Sequence, residues 1–539
     1  MVNRRVTRAA FWWLFSLIAC LIWLPAKSSP GNGAPPSQTL QSAEIPLEPV
    51  VPIVSWFSNS QPLSEAWEAL RVLADAHTQG LNPSDYEIEI LIPGFERSAR
   101  ESLPDQEIEL LDTRLTRALE RYLSDLNDGR LSPEVLKHRF QAPPTPRINA
   151  RAYIAEARLH GRLPEALRAA QPEVPMYEEI RTAMARYRDL TDHPAWTAAL
   201  PPLPARSLKP GEAWSGVPVL AARLVALGDL HGQSGFETRY ERELVEAVKR
   251  FQTRHGLEAD AAIGPATLAQ LNVTPAQRVK QMALTMERLR WTPLQYGPRM
   301  IVVNVPEFTL RAYELEGSSV KLDLEMRVIV GKALDTETPI FQEDMRFIEF
   351  SPYWNVPISI ARSETLPRLR LDPGYFSRQG FEFVTRQGSV VTTLTGEGLD
   401  AVQRGEWRIR QRPGPQNALG DIKFVFPNDQ NIFLHHTSSP GLFSRVRRDF
   451  SHGCIRVEHP VQLASFVLKN QPDWTQSRIA AAMGSGKSTT LRLNEPIPVL
   501  IAYSTVVVKN QGTVYFYPDI YHQDGRLEQA LNAARQSPL

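Results

Sequence analysis

Apolar residues recur at helical spacing from residue 56 to about residue 200. Leu111, Leu115, Ala118, Leu119, Tyr122, Leu123 and Leu126 fall three and four positions apart and define one face. Asn127-Asp128-Gly129 predicts the end of that helix, and Ser132-Pro133 offers a cap and a first-turn proline for the next. A proline-rich stretch, 201–216, reads as a linker. A compact helical unit follows over 217–273, with Val248, Phe251 and Leu257 directed inward and Gly256 and Gly264 ending helices. From Arg299 the period becomes two. Residues 300–305 and 309–313 flank a Pro306-Glu307 turn, and 322–330 and 347–350 continue as strands. Residues 499–508 and 513–516 form a hairpin through Asn510-Gln511-Gly512. A segment of mixed character at about 357–419 interrupts the strands and is long enough to be a lid. These patterns predict a multidomain α+β chain: a helical scaffold, a small helical module and a mostly β C-terminal domain.

The N-terminus adds a location. Arg4, Arg5 and Arg8 precede an apolar run over 9–25, the layout of an export signal or a short uncleaved signal anchor spanning 1–27. Leu17-Ile18-Ala19-Cys20 also matches a lipoprotein cleavage box, but the apolar run continues through Leu21-Ile22-Trp23-Leu24 where such a box turns polar. A Pro/Ser/Gly/Gln-rich tether at 28–54 follows. The body is therefore expected outside the cytoplasm, in the periplasm and held at the inner membrane. Length, 539 residues, calls for several cores, and 42% apolar with 22% charged residues is ordinary for a soluble globular chain. A formal charge of +1 argues against nucleic acid as a partner.

Cysteine usage brings in chemistry. Of two cysteines, Cys20 lies in the leader, so Cys454 has no disulfide partner in the body. It sits in Ser451-His452-Gly453-Cys454-Ile455-Arg456, and a short buried-strand signal at 432–434 ends at His435-His436. If those strands pair, His435 approaches Cys454 across the fold, takes the thiol proton and holds the thiolate as an ion pair. Backbone N–H groups at Gly453 and Cys454 would face an oxyanion, and Arg456, two residues along the strand, would share the face of Cys454 and pair with a substrate carboxylate. His452 lies along the strand rather than across it, so packing or hydrogen bonding suits it better than the role of base. Arg445, Arg447 and Arg448 are either a solvated face or an attraction for anionic stems. A zinc site of His435, His452 and Cys454 is a rival, but its spacing matches no common zinc pattern. Gly484-Ser485-Gly486-Lys487-Ser488-Thr489 mimics a nucleotide P-loop. Position 481, which must be glycine in that loop, is Ala481, and 478–483 reads as a helix, so this is a turn after a helix.

Two resemblances join these readings. Val248 to Leu271, with Phe251-Gln252, Gly256-Leu257, Asp260, Gly264 and Thr267, resembles the peptidoglycan-binding domain 1 family, except that Ala261 replaces the glycine usual after the aspartate. The set Ser451-His452-Gly453-Cys454-Ile455-Arg456 resembles the signature of the YkuD-like L,D-transpeptidase family. Ser351-Pro352-Tyr353-Trp354-Asn355, Asn417-Ala418-Leu419-Gly420 and Lys423-Phe424-Val425-Phe426-Pro427 look like its large Gram-negative branch. That resemblance implies a scaffold domain at 55–200, a peptidoglycan-binding module at 217–273, a connecting helix at 274–298, a catalytic domain at 299–525 with a capping insertion at about 357–419, and a tail helix at 526–539. It implies Cys454 as nucleophile, His435 as base, the His436 carbonyl as the group orienting His435, and Gly453 as an oxyanion donor. Substrate contacts would come from Arg456, Ser451 and His452, with neither cofactor nor metal. Many relatives carry glycine where this chain has His436. The implied reaction cleaves the bond between meso-diaminopimelate and D-alanine in a tetrapeptide stem, forms a thioester, and links two diaminopimelate residues; carbapenems would acylate Cys454. Implied partners are peptidoglycan stems and glycan, with cell-wall synthesis enzymes as further candidates. The alternatives are a cysteine or zinc peptidase that hydrolyses stems, or a non-catalytic wall-binding protein.

Overall fold

In the computed structural model the helical periodicity of the first part becomes a packed helical body. Residues 55–140, 149–231, 237–293, 297–317, 319–333, 336–510 and 512–536 are described; the expected leader, Cys20 and the tether at 28–54 lie outside them. A small hairpin, β1 (Phe57–Ser58) and β2 (Gln61–Pro62), precedes α1 (Ser64–Ala74), α2 (Ile88–Arg100), α3 (Asp105–Asp128), α4 (Ala150–Leu159), α5 (Leu163–Ala169) and α6 (Pro175–Asp189). The face from Leu111 to Leu126 is buried along α3, against Trp56, Leu73, Tyr86 and Phe95. Gly129 follows α3 with φ 78°, where a side chain would be strained. Ser132-Pro133 starts only a 3₁₀ turn, Pro133–Leu136, and Ser132 gives it no side-chain cap.

The next unit contains α7 (Val217–Ala226), α8 (Glu243–Arg254) and α9 (Pro265–Asn272) around Leu220, Leu224, Tyr240, Val248, Phe251 and Ile263. Residues 201–216, expected as a linker, supply Leu208 and Trp214 to this core. Leu208 and Ile263 exchange backbone hydrogen bonds of 3.1 and 2.9 Å. Gly256, with φ 63°, follows α8, but Gly264 stands before α9 as its N-cap, ahead of Pro265 at the first helical position. Leu257 is only half-buried. Gln252 ties the turn together: its amide donates to Asp260 Oδ1 and to the Ala262 carbonyl, both at 3.0 Å, and accepts from the Ala261 N–H at 2.9 Å.

The hub is α10 (Pro275–Trp291), opened by a Thr274/Gln277 capping box and buried on most of its surface. Its Glu287 accepts from Arg290 at 2.7 Å and from the Arg130 N–H at 2.5 Å, so the loop after α3 and α10 share one buried carboxylate. Among the described residues no helix is long and apolar enough to cross a membrane.

The β domain begins with β3 (Arg299–Asn304), β4 (Thr309–Glu316), β5 (Ser319–Gly331) and β6 (Phe341–Phe350). The insertion follows: β7 (Trp354–Asn355), α11 (Ile358–Ile360), a π-helical turn (Ala361–Thr365), α12 (Leu366–Leu371), α13 (Gly374–Arg378), β8 (Phe381–Val384), β9 (Val390–Val391), α14 (Gly396–Arg404) and β10 (Arg408–Gln411). It forms its own four-stranded sheet, ordered β7-β10-β8-β9, with its own core of Leu366, Leu369, Phe376, Phe383 and Val402. The main sheet resumes with β11 (Ile422–Val425), β12 (Leu434–His435), β13 (Asp449–Ser451) and β14 (Ile455–Val457). After α15 (Pro460–Val467) and α16 (Gln476–Met483) come β15 (Thr489–Ala502), β16 (Val506–Lys509), β17 (Thr513–Phe516) and α17 (Gln523–Gln536).

Main-sheet order is β13-β5-β14-β12-β11-β6-β15-β3-β4, and because β4 also pairs with the long β5, the strands close into a circuit around one core. The strand expected over 499–508 is two: the chain bends at Ser504, where Asn304 accepts from the Ser504 N–H (2.8 Å) and donates to its carbonyl (3.0 Å). The P-loop mimic is the turn between α16 and β15.

Candidate active site

Alternation along three neighbouring strands builds the site. Ile422 and Phe424 of β11, Leu434 of β12, and Ile455 and Val457 of β14 point into the core. Lys423, His435 and Arg456 therefore point out of the opposite face. Lys423 is the register partner of His435 on one side, and Arg456 is its partner on the other. β12 and β14 run parallel, and the Ile455 N–H donates to the Phe433 carbonyl at 2.9 Å. That pairing brings Cys454, one residue before β14, beside residues just before His435, although the two lie nineteen positions apart.

The loop carrying the thiol is tied from within. Ser451 Oγ donates to the Cys454 carbonyl at 2.5 Å, and the Gly453 N–H donates to Ser451 Oγ at 3.2 Å. Thr338 Oγ1 donates to the Gly453 carbonyl at 2.7 Å. Gly453 has φ 111°, a backbone conformation that favours glycine, and a Cβ there would press on Ile432 at 3.2 Å. Two expected contacts thus have other partners: the Ser451 hydroxyl and the Gly453 N–H shape the loop. His452 turns outward, with Nε2 2.6 Å from Glu364 Oε1 in the insertion.

His435 is buried, with Nδ1 2.5 Å from the carbonyl of His436. With the hydrogen on Nδ1, as that contact requires, Nε2 carries the lone pair, and the Leu419 backbone is the second main-chain partner of the ring. His436 packs over Gly420, where a Cβ would come within 2.7 Å of its ring and its own Cβ; the bulk that replaces glycine at 436 is accommodated by glycine at 420, which has φ 63°. Its Nδ1 lies 3.4 Å from Asp421 Oδ2.

Electrostatics differ from the expected ion pair. Burial, helped by the Arg456 charge, pulls His435 down to about 3. Burial also pushes the half-buried Cys454 thiol up, against the pull of Lys423 and Arg456. The resting pair is a neutral imidazole and a neutral thiol, and the thiol donates to the Asn431 carbonyl at 3.5 Å. Burial lowers Arg456 as well, and among the described residues no carboxylate pairs with it; its Nε is buried without a hydrogen-bond partner. Lys423, by contrast, is held by Glu349 at 3.3 Å and stacks over Phe433 at 3.8 Å.

Reasoning from sequence passed over Lys423 and Asn431. Lys423 was legible as the charged position in an alternating Ile422-Lys423-Phe424 strand. Asn431 has φ 56°, a conformation asparagine tolerates better than most residues, immediately before an apolar strand. The two imidazoles turn to different acceptors, His435 to the His436 carbonyl and His452 to Glu364.

Comparisons with known proteins follow this division of the chain. Residues 298–491 match the L,D-transpeptidase catalytic domain (YkuD), 53–184 the Scaffold domain, and 215–271 the "Putative peptidoglycan binding domain". A Haemophilus influenzae protein named "Putative L,D-transpeptidase" is 34% identical over 253 residues, 47% of this chain and 49% of that protein. The chain thus matches about half the length of that relative. Crystal structures of an L,D-transpeptidase fragment from Xylanimonas cellulosilytica and of a fused Zn-dependent amidase/peptidase/peptidoglycan-binding protein from Clostridium acetobutylicum are each 14% identical. They cover 56% and 55% of this chain and 100% and 99% of their own, with a TM-score of 0.16 that carries no argument. The chain thus carries a YkuD L,D-transpeptidase catalytic domain over residues 298–491, preceded by regions that match the Scaffold and peptidoglycan-binding domains.

Proposed function

We propose that the protein is a cysteine L,D-transpeptidase that cross-links peptidoglycan, and that it works in the periplasm, held at the inner membrane by its N-terminal segment. The observation carrying this reading is one sheet face that presents His435 and Arg456 as register partners, with Cys454, the only thiol among the described residues, two positions before Arg456.

Arg456 pairs with a carboxylate of the donor stem, an anion that its half-buried guanidinium lacks among the described residues. Cys454 Sγ attacks the carbonyl of the diaminopimelate–D-alanine amide while His435 Nε2 takes the thiol proton. Because both groups start neutral, transfer accompanies attack instead of preceding it. With the Gly453 N–H turned to Ser451, the Cys454 N–H is the main-chain donor for the oxyanion. The C–N bond breaks as His435 returns its proton to the departing amine, which leaves as D-alanine, while the acyl group stays on Cys454 as a thioester. The amine of a second stem, deprotonated by His435, then attacks the thioester, forms the new amide and restores the thiol. The carbonyl of His436 keeps the imidazole in the tautomer this cycle requires.

Mass spectrometry with a disaccharide-tetrapeptide tests the reading. The expected result is an adduct on Cys454 and a dimeric muropeptide, with His435→Ala abolishing acylation and His452→Ala leaving it measurable. Monomeric tripeptide as sole product replaces transpeptidation by hydrolysis. The pH dependence checks the neutral pair. Alkylation of Cys454 by iodoacetamide needs the thiolate, so with a raised thiol pKa it climbs through and beyond about pH 8. A rate plateau at about pH 5–7 would instead mean a preformed thiolate–imidazolium pair.

A further inference from the structure

The insertion meets the cysteine loop at one polar point. Among the described residues, the contact between Glu364 Oε1 and His452 Nε2, at 2.6 Å, is the only side-chain hydrogen bond joining residues 356–411 to residues 449–457. His452 is free to make it because its neighbours are held elsewhere. The Ser451 carbonyl accepts from the Lys332 N–H and Thr336 Oγ1, the Gly453 carbonyl from Thr338, and the Cys454 carbonyl from Ser451. The loop is therefore fixed to the barrel by its backbone, and it offers the insertion a side chain.

Glu364 is aimed by an irregularity. It lies in the π-helical turn Ala361–Thr365, between α11 and α12, where the Leu366 N–H reaches back to Ala361. The extra residue in such a turn rotates the side chains that follow relative to a plain α-helix, and π-turns of this kind concentrate at functional sites. Arg362, the nearest cation on the same turn, is directed away and donates to the Gln403 carbonyl inside the insertion.

The strength of the contact decides what it does. Both side chains are well exposed, at 33% for His452 and 55% for Glu364. Exposed pairs of this kind shift an equilibrium by about two- to five-fold, far too little to fold the insertion. The insertion holds together through its own core, and it is joined to the barrel by its flanking chain and by Asn417, which donates to the Pro352 carbonyl at 2.9 Å.

We propose that Glu364 is a positioning residue, which clasps the insertion over the Cys454 loop through His452 and so sets how firmly the donor stem is held. The proposal rests on the transpeptidase reading for its substrate. The chemistry at the thiol does not pass through the clasp, so binding and reactivity should separate.

The test uses the full chain carrying Glu364→Ala. KM for the disaccharide-tetrapeptide is expected to rise about two- to five-fold with kcat little changed, a loss of uniform binding. Alkylation of Cys454 by iodoacetamide stays within two-fold, roughly, because that probe is too small to need the insertion. Amide exchange over residues 358–371 accelerates. The exchanged pair, Glu364→His with His452→Glu, recovers the KM and the slow exchange, which a purely local packing role does not predict. Unchanged exchange in Glu364→Ala, or a swapped pair no better than the single variant, overturns the clasp. Failure of the wild-type chain to form any Cys454 adduct overturns the transpeptidase reading instead, and the exchange measurement still judges the contact.

Discussion

At the peptidoglycan-binding module, His255 lies stacked between Phe251 of its own helix and Phe516 of the β16–β17 hairpin, with centroids 3.8 and 5.6 Å away. Beside it, Arg254 makes a bidentate ion pair with Asp229 and donates to the Tyr187 hydroxyl of α6 at 3.2 Å. Arg278 of α10 lies over the Phe516 ring at 4.4 Å. At the capping insertion, the corresponding contact with the cysteine loop is the exposed Glu364–His452 pair. Both are additions to the barrel, but the first is sealed by buried aromatic and charged groups while the second touches through water-accessible ones. Burial makes the difference, because an ion pair removed from water cannot lose one partner cheaply, whereas an exposed pair can. The module is a fixed part of the body, which sets the wall-binding unit and Cys454 at a constant spacing. Among the described residues, the only side-chain hydrogen bond from the insertion to the cysteine loop is the exposed one.

The largest expected effect tests the sealed side against the open one. Asp229→Ala leaves the Arg254 guanidinium buried without its carboxylate, and such a change costs about 3–5 kcal/mol. Calorimetry of the full chain should show the whole melting transition falling. Leu369→Ala, in the core of the insertion, removes a fully buried side chain at a local cost of about 2–5 kcal/mol. Here amide exchange should accelerate over residues 354–411 while the barrel strands keep their protection. A global fall with Leu369→Ala, or a fall confined to the module with Asp229→Ala, removes the contrast.

Much of this architecture was legible before any coordinates. The α3 face from Leu111 to Leu126 and its stop at Gly129 follow from local periodicity and short motifs, and the His435 and Cys454 strands were visible as strands, with their pairing only a condition. What was not legible depends on contacts between distant elements. Proline density over 201–216 suggested a free linker, but Leu208 and Trp214 find a core that only the folded module supplies. An imidazole near a thiol suggested an ion pair, whereas burial, which no local pattern encodes, holds both groups neutral. Glu364 sits 88 residues from His452, in an insertion of mixed character, so nothing local marks it.

The smallest effect sharpens the comparison most directly. Ala261 has φ 62°, a left-handed conformation in which its Cβ crowds the following carbonyl. It remains there because the Gln252 amide accepts its N–H and the Tyr240 hydroxyl donates to its carbonyl at 2.7 Å. Glycine at this position relieves the crowding but gives the unfolded chain more freedom, so Ala261→Gly should stabilise by only about 0.5–1 kcal/mol. How that gain appears separates two arrangements. If the module is sealed to α6, α10 and the hairpin, its turn belongs to the same cooperative unit as the barrel, and the single melting transition of the full chain rises. If the module opens on its own, the gain appears as slower amide exchange within 217–273 alone, with the main transition unmoved. The buried Arg254–Asp229 pair and the His255 stack favour the first outcome, since opening the module would expose both.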